Sequence, residues 1–136
     1  MLDKIESWRM WVLCDREPIK TWSQGRVTLL GDAAHPMLQY LAQGACMATE
    51  DAVCLASKVA AHGDDFPAAF KAYQSDRYLR TGQVQLTARL YGDIYHASGV
   101  TAELRAMMLA GRAPEQAYQG MNWLYNGIDR NGCQIL

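Results

Sequence analysis

A short apolar run that stops at a glycine and an acid constrains the fold of this chain more than any other feature. Residues 27–30 are apolar or β-branched, Gly31 and Asp32 follow at once, and Gly44 then opens an apolar stretch. A short run of this kind between glycines is typical of a buried strand in a parallel sheet. The sequence therefore predicts a strand, a turn that carries a carboxylate and a helix start, in that order.

Most of the remaining chain is predicted to be helical. Four stretches carry helical patterns: 44–62, 67–96, 101–110 and 115–125. The first is apolar almost all round, so we expect a helix that is buried on most of its sides. Gly63 suits the end of that helix and Asp65 the N-cap of the next, which is expected to bend or break near Gly82.

Three further details follow from the pattern. Asp76 and Arg80 are spaced to form an ion pair on one helix face. The segment 123–125 combines Trp, Leu and Tyr and is expected to anchor the tail. Residues 7–14 are rich in large and β-branched side chains and predict a second strand.

The predicted fold class is mostly α with two short strands, in one unit over residues 1–136. Two isolated strands do not make a stable sheet, so the sheet partners of 7–14 and 27–30 are expected to be missing from this chain. No internal repeat or long linker divides it.

Composition argues against several classes of function. The net charge is −1, from 13 basic and 14 acidic residues, so we expect no nucleic acid as a partner. No window approaches 18 uninterrupted apolar residues, so a membrane is not expected either. The first residues are too charged for a signal peptide, which predicts a cytoplasmic location. Cysteines and histidines lack metal-ligand spacing, so no metal site is expected, and the four cysteines are interpreted as reduced, mostly buried thiols: Cys14, Cys46, Cys54 and Cys133.

The Gly-Asp turn is expected to bind a polar ligand. The carboxylate of Asp32 can accept hydrogen bonds from the hydroxyls of a sugar or polyol. The helix start formed by residues 43–46 offers free N–H groups and a positive dipole end to negative charge on a ligand. Gly44 has no side chain, so a flat ring could approach its backbone. An ordinary turn capped by Asp32 is the alternative interpretation.

Three polar residues lie between the strand and the helix. His35 could act as a base or serve as a buried structural histidine. Gln39 and Tyr40 could contact a substrate or form a solvated loop. Residue types alone leave these alternatives open.

A resemblance to a known family makes these interpretations more specific. The run GRVTLLGDAAHPMLQYLAQGACMATEDAVCLA and the later pattern of Tyr73, Arg77, Arg80, Val84 and Gln85 resemble class A flavoprotein monooxygenases. The resemblance covers roughly residues 8–90 and is greatest to the 3-hydroxybenzoate 6-hydroxylase and salicylate hydroxylase-like branch. It implies the C-terminal part of an α/β FAD-binding fold of the GR2-type Rossmann-like class.

The resemblance also implies roles for individual residues. Residues 1–25 would form the end of a substrate-domain strand and a loop. Residues 26–62 would form the strand, turn and helix that contact FAD, and 63–136 would form the C-terminal helical region. Asp32, next to Gly31, would bind the ribityl chain of FAD, and Pro36 would flank the flavin. The pyrimidine edge of the ring would face the helix start, formed by Gln43, Gly44, Ala45 and Cys46.

The implied parent reaction hydroxylates a small phenol such as 3-hydroxybenzoate (to gentisate) or salicylate, with O2 and NADH or NADPH. Gln39, and with less support Tyr40, would orient that substrate as catalytic residues. The family's GxGxxG fingerprint is absent from this sequence. The chain alone is therefore expected to lack bound FAD and to be inactive without its N-terminal part.

A second class of function stays open at this point. The chain could be a non-enzymatic helical module that self-associates as a homo-oligomer. Its contact surface would then comprise Trp8, Trp11, Trp22 and the 44–62 helix.

Overall fold

The computed structural model describes residues 4–130 and is mainly helical. The strands and helices are, in order, β1 (Ser23–Gln24), β2 (Val27–Thr28), α1 (Gly44–His62), α2 (Phe66–Tyr95), α3 (Gly99–Ala110), α4 (Pro114–Gly120) and α5 (Asn122–Asn126). Single 3₁₀ turns at Gly31–Ala33 and Gln39–Leu41 lie between β2 and α1. The prediction of a mostly helical chain with two short strands is confirmed.

The strands differ from the prediction in position and in pairing. β1 and β2 form an antiparallel hairpin in which Ser23 pairs with Thr28 and Gln24 with Val27. Gly25 turns the hairpin with φ +56°, and Val27 is 67% exposed. The prediction of a buried parallel strand over 27–30 is therefore wrong, because the neighbouring strand comes from the preceding loop.

The segment 7–14 has no strand in the structure, so that prediction is also wrong. Its large side chains face solvent, and Met10 is 96% exposed. Apolar and β-branched residues favour a strand only where a second strand can satisfy their backbone groups, and no described residue pairs with this segment.

Helix α1 begins and ends at the predicted residues, and Gly63 follows it with φ +58°. The expectation that α1 is buried on most sides is wrong. Its buried residues form a single stripe of Met47, Asp51 and Cys54. The stripe faces α2, and the small apolar residues on the other faces of α1 are left partly or fully exposed.

Helix α2 is one uninterrupted helix of 30 residues. The helix is not interrupted at Gly82, and this glycine serves packing, since a Cβ there would lie 3.3 Å from Pro18 Cβ. The predicted N-cap is confirmed, since Asp65 Oδ1 accepts the Ala68 N–H at 3.1 Å.

This cap gives a first testable prediction. Asp65→Ala leaves an N–H of the first turn of α2 without its partner and should lower the free energy of unfolding by about 1 kcal/mol. Urea unfolding followed by circular dichroism measures the change. Asp64→Ala is the control, because the Asp64 side chain does not cap the helix; an equal loss in both variants would contradict the assignment.

The pairing predicted for Asp76 and Arg80 is wrong, because each finds a partner on α1. Lys58 Nζ lies 2.5 Å from Asp76 Oδ2, and Arg80 binds Glu50 through two nitrogens, at 2.7 and 2.8 Å. These ion pairs join α1 to α2. Cross-helix contacts thus replace the pair expected within one helix face.

Two apolar clusters hold the elements together. The first contains the buried residues Trp22, Ala34, Cys54 and Tyr73, and the second contains Met47, Val84 and Leu124. Leu124 packs the C-terminal tail against this second cluster, whereas Tyr125 is 67% exposed. The prediction that residues 123–125 anchor the tail is therefore only partly right. The predicted helix over 115–125 is divided at Met121 into α4 and α5.

Cysteine placement corrects one further expectation. Cys54 is buried, but Cys14 and Cys46 are exposed, so the description as mostly buried thiols is wrong for these two. The described residues contain no disulfide bond. Cys133 lies outside the described residues.

Candidate functional site

An open cavity of about 590 Å³ lies where the Gly-Asp turn meets the start of α1. Six of the predicted site residues line it: Gly31, Asp32, Gln39, Gln43, Gly44 and Ala45. Apolar side chains complete the wall, from Leu30, Met37, Leu38, Ala42 and Ala48. The cavity therefore combines a carboxylate, two amide side chains and a helix N-terminus within apolar surroundings.

The carboxylate of Asp32 faces the helix start. A Cβ placed on Gly44 would lie 4.0 Å from Asp32 Oδ1. Gly31 has φ +59°, a conformation that suits glycine, and this turn directs the next residue into the cavity. The absence of a side chain at Gly44 leaves an uncovered stretch of backbone beside the carboxylate.

The start of α1 provides donors on the other side of the cavity. The first N–H groups of a helix have no partner one turn earlier, and they carry the positive end of the helix dipole. Gln43 at the N-cap places no side-chain cap on them. The site can therefore bind hydroxyl groups at Asp32 and negative charge at the helix start.

Three of the predicted residues lie outside the cavity lining. Cys46 is exposed on α1, and the carbonyl oxygen of Pro36 accepts a hydrogen bond from Gln85 Nε2 at 2.9 Å. Tyr40 lines a separate depression, where its hydroxyl lies 3.0 Å from His96 Nε2. The structure thus separates Tyr40 from its neighbour Gln39.

Behind the cavity, the fully buried carboxylate of Asp51 joins three parts of the chain. Asp51 Oδ2 accepts hydrogen bonds from the main-chain N–H of Gly31, at 3.1 Å, and from His35 Nε2, at 2.5 Å. Asp51 Oδ1 accepts from Arg77 Nε at 2.8 Å. His35 is fully buried against Trp22, which favours the structural interpretation of this histidine over a catalytic base.

The neighbouring acid on α1 extends this network toward the tail. Glu50 Oε2 lies 2.8 Å from Arg77 Nη1, and Arg80 bridges Glu50 to the carbonyl oxygens of Trp123, at 3.0 Å, and Leu124, at 2.8 Å. A pair of adjacent acids is thus matched by two arginines one helical turn apart. The network connects the cavity wall, α2 and the tail.

Sequence reasoning missed this network as a functional support. Arg77 entered only as part of the family resemblance, Arg80 entered there and as the expected partner of Asp76, and neither Glu50 nor Asp51 was singled out. Two adjacent acids on an otherwise apolar helix were the available signal, because buried charges need partners.

Burial of Asp51 by itself raises the pKa of its carboxyl, but the hydrogen bonds and charges from His35 and Arg77 outweigh burial and hold the pKa below its ordinary 3.8. Burial lowers the pKa of the Arg77 guanidinium, and the two carboxylates more than reverse this effect. Both groups therefore stay charged near neutral pH.

The depressed pKa of Asp51 predicts a pH dependence of stability. The unfolded chain binds this proton more readily, so the stabilisation is complete above about pH 4 and is lost as the pH falls through the folded-state value. The free energy of unfolding of the wild type should therefore fall between pH 5 and pH 2 more steeply than that of Asp51→Asn. Urea titrations across this range measure both slopes; parallel slopes would contradict the assignment.

Residues 4–130 contain no group of His, Cys, Asp and Glu side chains that could hold a metal ion. Over the same range, no helix has the length and hydropathy needed to span a membrane.

Comparison with known proteins identifies the class. The chain belongs to the FAD binding domain family, whose profile matches residues 2–88. The resemblance to FAD-dependent aromatic hydroxylases predicted from the sequence is confirmed, and so is FAD as the family's cofactor.

Individual relatives show which hydroxylases this chain is similar to. This chain is 51% identical to 3-hydroxybenzoate 6-hydroxylase from Polaromonas naphthalenivorans over 125 residues. The aligned region covers 92% of this chain and 31% of that protein. A salicylate hydroxylase in complex with substrate is 33% identical with a TM-score of 0.67, over 93% of this chain and 31% of that one. Klebsiella pneumoniae HpxO with FAD and uric acid is 35% identical with a TM-score of 0.72, over 79% of this chain and 28% of that one. The chain thus spans about a third of the length of these relatives.

Proposed function

We propose that this chain is the FAD-contacting C-terminal part of an NAD(P)H-using monooxygenase that hydroxylates a small phenol. The observation that carries this proposal is the shared cavity of Asp32 and the N-terminal end of α1. The similarity to 3-hydroxybenzoate 6-hydroxylase and to salicylate hydroxylase supports a hydroxybenzoate as the substrate class.

The residues present fit one part of FAD. The Asp32 carboxylate would accept hydrogen bonds from ribityl hydroxyls, and the amides of Gly44 and Ala45 would stabilise negative charge on the ring. The missing Cβ at Gly44 leaves the space that such a ring needs beside Asp32. When bound, FAD supplies the electron transfer and oxygen chemistry, and the protein binds and orients its ring.

Gln39 is proposed as the substrate-orienting residue. Its side chain is exposed at the cavity wall, and its amide can donate to or accept from a phenolic hydroxyl. Tyr40 is a less direct candidate for orienting the substrate, because it lines the neighbouring depression and its hydroxyl is hydrogen-bonded to His96. Pro36 lies outside the cavity lining, and Cys46 would contribute through its main-chain N–H in the first turn of α1.

The exposed apolar residues near the N-terminus support the proposal that another part of the protein covers this surface. Trp8 is 68% exposed and Trp11 77%, whereas Trp22 is 4% exposed and cannot join a contact surface. We assign Trp8 and Trp11 to an interface with the N-terminal part of the protein. The comparisons do not favour the alternative of a non-enzymatic helical module. Self-association and a cytoplasmic location remain predictions.

A chimera tests the proposed activity. This chain replaces the matching region of the Polaromonas naphthalenivorans relative, and the purified protein is assayed for flavin absorbance and for NADH and NADPH oxidation. We expect bound FAD and oxidation stimulated by 3-hydroxybenzoate or salicylate. A folded chimera that binds no flavin would contradict the FAD site, and one that binds flavin without an aromatic-dependent rate would contradict the hydroxylase.

The same chimera tests Asp32 directly. Asp32→Ala removes charged hydrogen-bond acceptors for the ribityl chain and should weaken FAD binding about 10- to 100-fold. Flavin fluorescence titration of the apoprotein measures the dissociation constant. Asp64→Ala, at the opposite end of α1, is the matched control and should bind FAD like the wild type; equal affinities in all three would contradict the role of Asp32.

A further inference from the structure

The buried carboxylate of Asp51 lies outside the cavity, yet it contacts the residue that precedes Asp32. The main-chain N–H of Gly31 donates to Asp51 Oδ2 at 3.1 Å. Gly31 is buried and has φ +59°, so its peptide group has a defined orientation in the turn. The hydrogen bond therefore links the turn that presents Asp32 to α1, the helix whose first residues form the opposite wall.

Asp51 is itself held from two other directions. His35 Nε2 lies 2.5 Å from the same oxygen that accepts from Gly31, and Arg77 Nε lies 2.8 Å from the other oxygen. All three side chains are fully buried. Donors on a turn, a loop and a second helix converge on one carboxylate, both of whose oxygens are hydrogen-bonded, and these convergent bonds restrict its movement.

We propose that Asp51 is a positioning residue of the FAD site, which fixes the Asp32 turn relative to the N-terminal end of α1 through the N–H of Gly31. This inference rests on the proposed function, because it assigns Asp51 a task toward the cofactor at that site. Asp51 does not touch the cavity, so its effect passes through Gly31 and through the helix that carries it.

The first test measures the Gly31 amide in the 136-residue chain. Asp51→Asn weakens the charged acceptor of this N–H, and hydrogen exchange at Gly31 should become at least about tenfold faster than the change in global stability explains. Glu50→Gln is the matched control: it removes a charge from the same Arg77 without contacting Gly31. Its Gly31 exchange should follow global stability alone, and equal acceleration in both variants would overturn the proposal.

The second test measures cofactor binding by the chimera that carries the same substitutions, through titration of its apoprotein with FAD and detection of flavin fluorescence. Asp51→Asn should weaken FAD binding at least about fivefold relative to Glu50→Gln, because only the former releases the turn that presents Asp32. Equal FAD affinities would overturn the positioning role. If the chimera without these substitutions does not bind FAD, the proposed function of this cavity fails, and Gly31 exchange still decides whether Asp51 fixes the turn.

A second variant covers the case in which Asp51→Asn does not fold. His35→Leu keeps the carboxylate but removes the other donor to the oxygen that Gly31 uses. Gly31 exchange should then rise at least about threefold beyond the change in global stability, because the carboxylate is held less firmly. Exchange that follows global stability alone would overturn the proposal.

Discussion

Arg77→Met is expected to lower the free energy of unfolding by about 3–5 kcal/mol, because it leaves the fully buried carboxylate of Asp51 and the partly exposed one of Glu50 without their shared cation. Arg77 is fully buried, with Nε 2.8 Å from Asp51 Oδ1 and Nη1 2.8 Å from Glu50 Oε2. Few single changes in this chain should cost more. Urea unfolding followed by circular dichroism measures the loss.

Arg89→Met provides the matched control for this prediction. Arg89 also forms two ion pairs, with Asp15 at 2.5 Å and Glu17 at 2.6 Å, but its side chain is 30% exposed. Solvent screens such pairs, so this variant should lose less than about 1 kcal/mol. Similar losses for Arg77→Met and Arg89→Met would show that burial of the Asp51 network does not matter for stability.

Gly92→Ala is expected to destabilise the chain although it replaces glycine within a helix. An added Cβ would lie 2.6 Å from Tyr40 Cε2 and 2.9 Å from Tyr40 Cδ2, so the ring has to move. Overpacking costs about 1–3 kcal/mol, which exceeds the gain of up to about 1 kcal/mol in helix propensity. Thermal unfolding measures the net loss.

Movement of the Tyr40 ring in Gly92→Ala should also shift Gln39 at the cavity wall, because Gln39 precedes Tyr40 in the chain. The side-chain amide signals of Gln39 should therefore shift in nuclear magnetic resonance spectra of Gly92→Ala. Gly111→Ala is the control: nothing lies within 4 Å of its added Cβ, and its φ of −90° is ordinary. A Gly92→Ala protein as stable as the wild type, with unchanged Gln39 signals, would contradict this packing.

The sequence predicted those features that depend on local chemistry. The bounds of α1 follow from Gly44 and Gly63, and the cap of α2 follows from Asp65, because end signals act over one helical turn. The cavity residues Asp32 and Gly44 were predicted for the same reason: a turn glycine and a helix start have consequences that do not depend on the rest of the fold.

Features that depend on partners distant in sequence were not predicted. Asp76 and Arg80 have the spacing of an ion pair, but each lies closer to an opposite charge on α1. The segment 7–14 has the composition of a strand, but its backbone finds no strand among residues 4–130. Periodicity describes one element at a time, and the choice between competing partners is made by packing.

Amide chemical shifts of the ¹⁵N-labelled chimera during titration of its apoprotein with FAD test the central claim most directly. The proposed FAD site predicts that the largest shifts occur at Gly31, Asp32, Gly44 and Ala45, which face each other across the cavity. The absence of shifts at these four amides, or shifts confined to the depression around Tyr40 and His96, would contradict it.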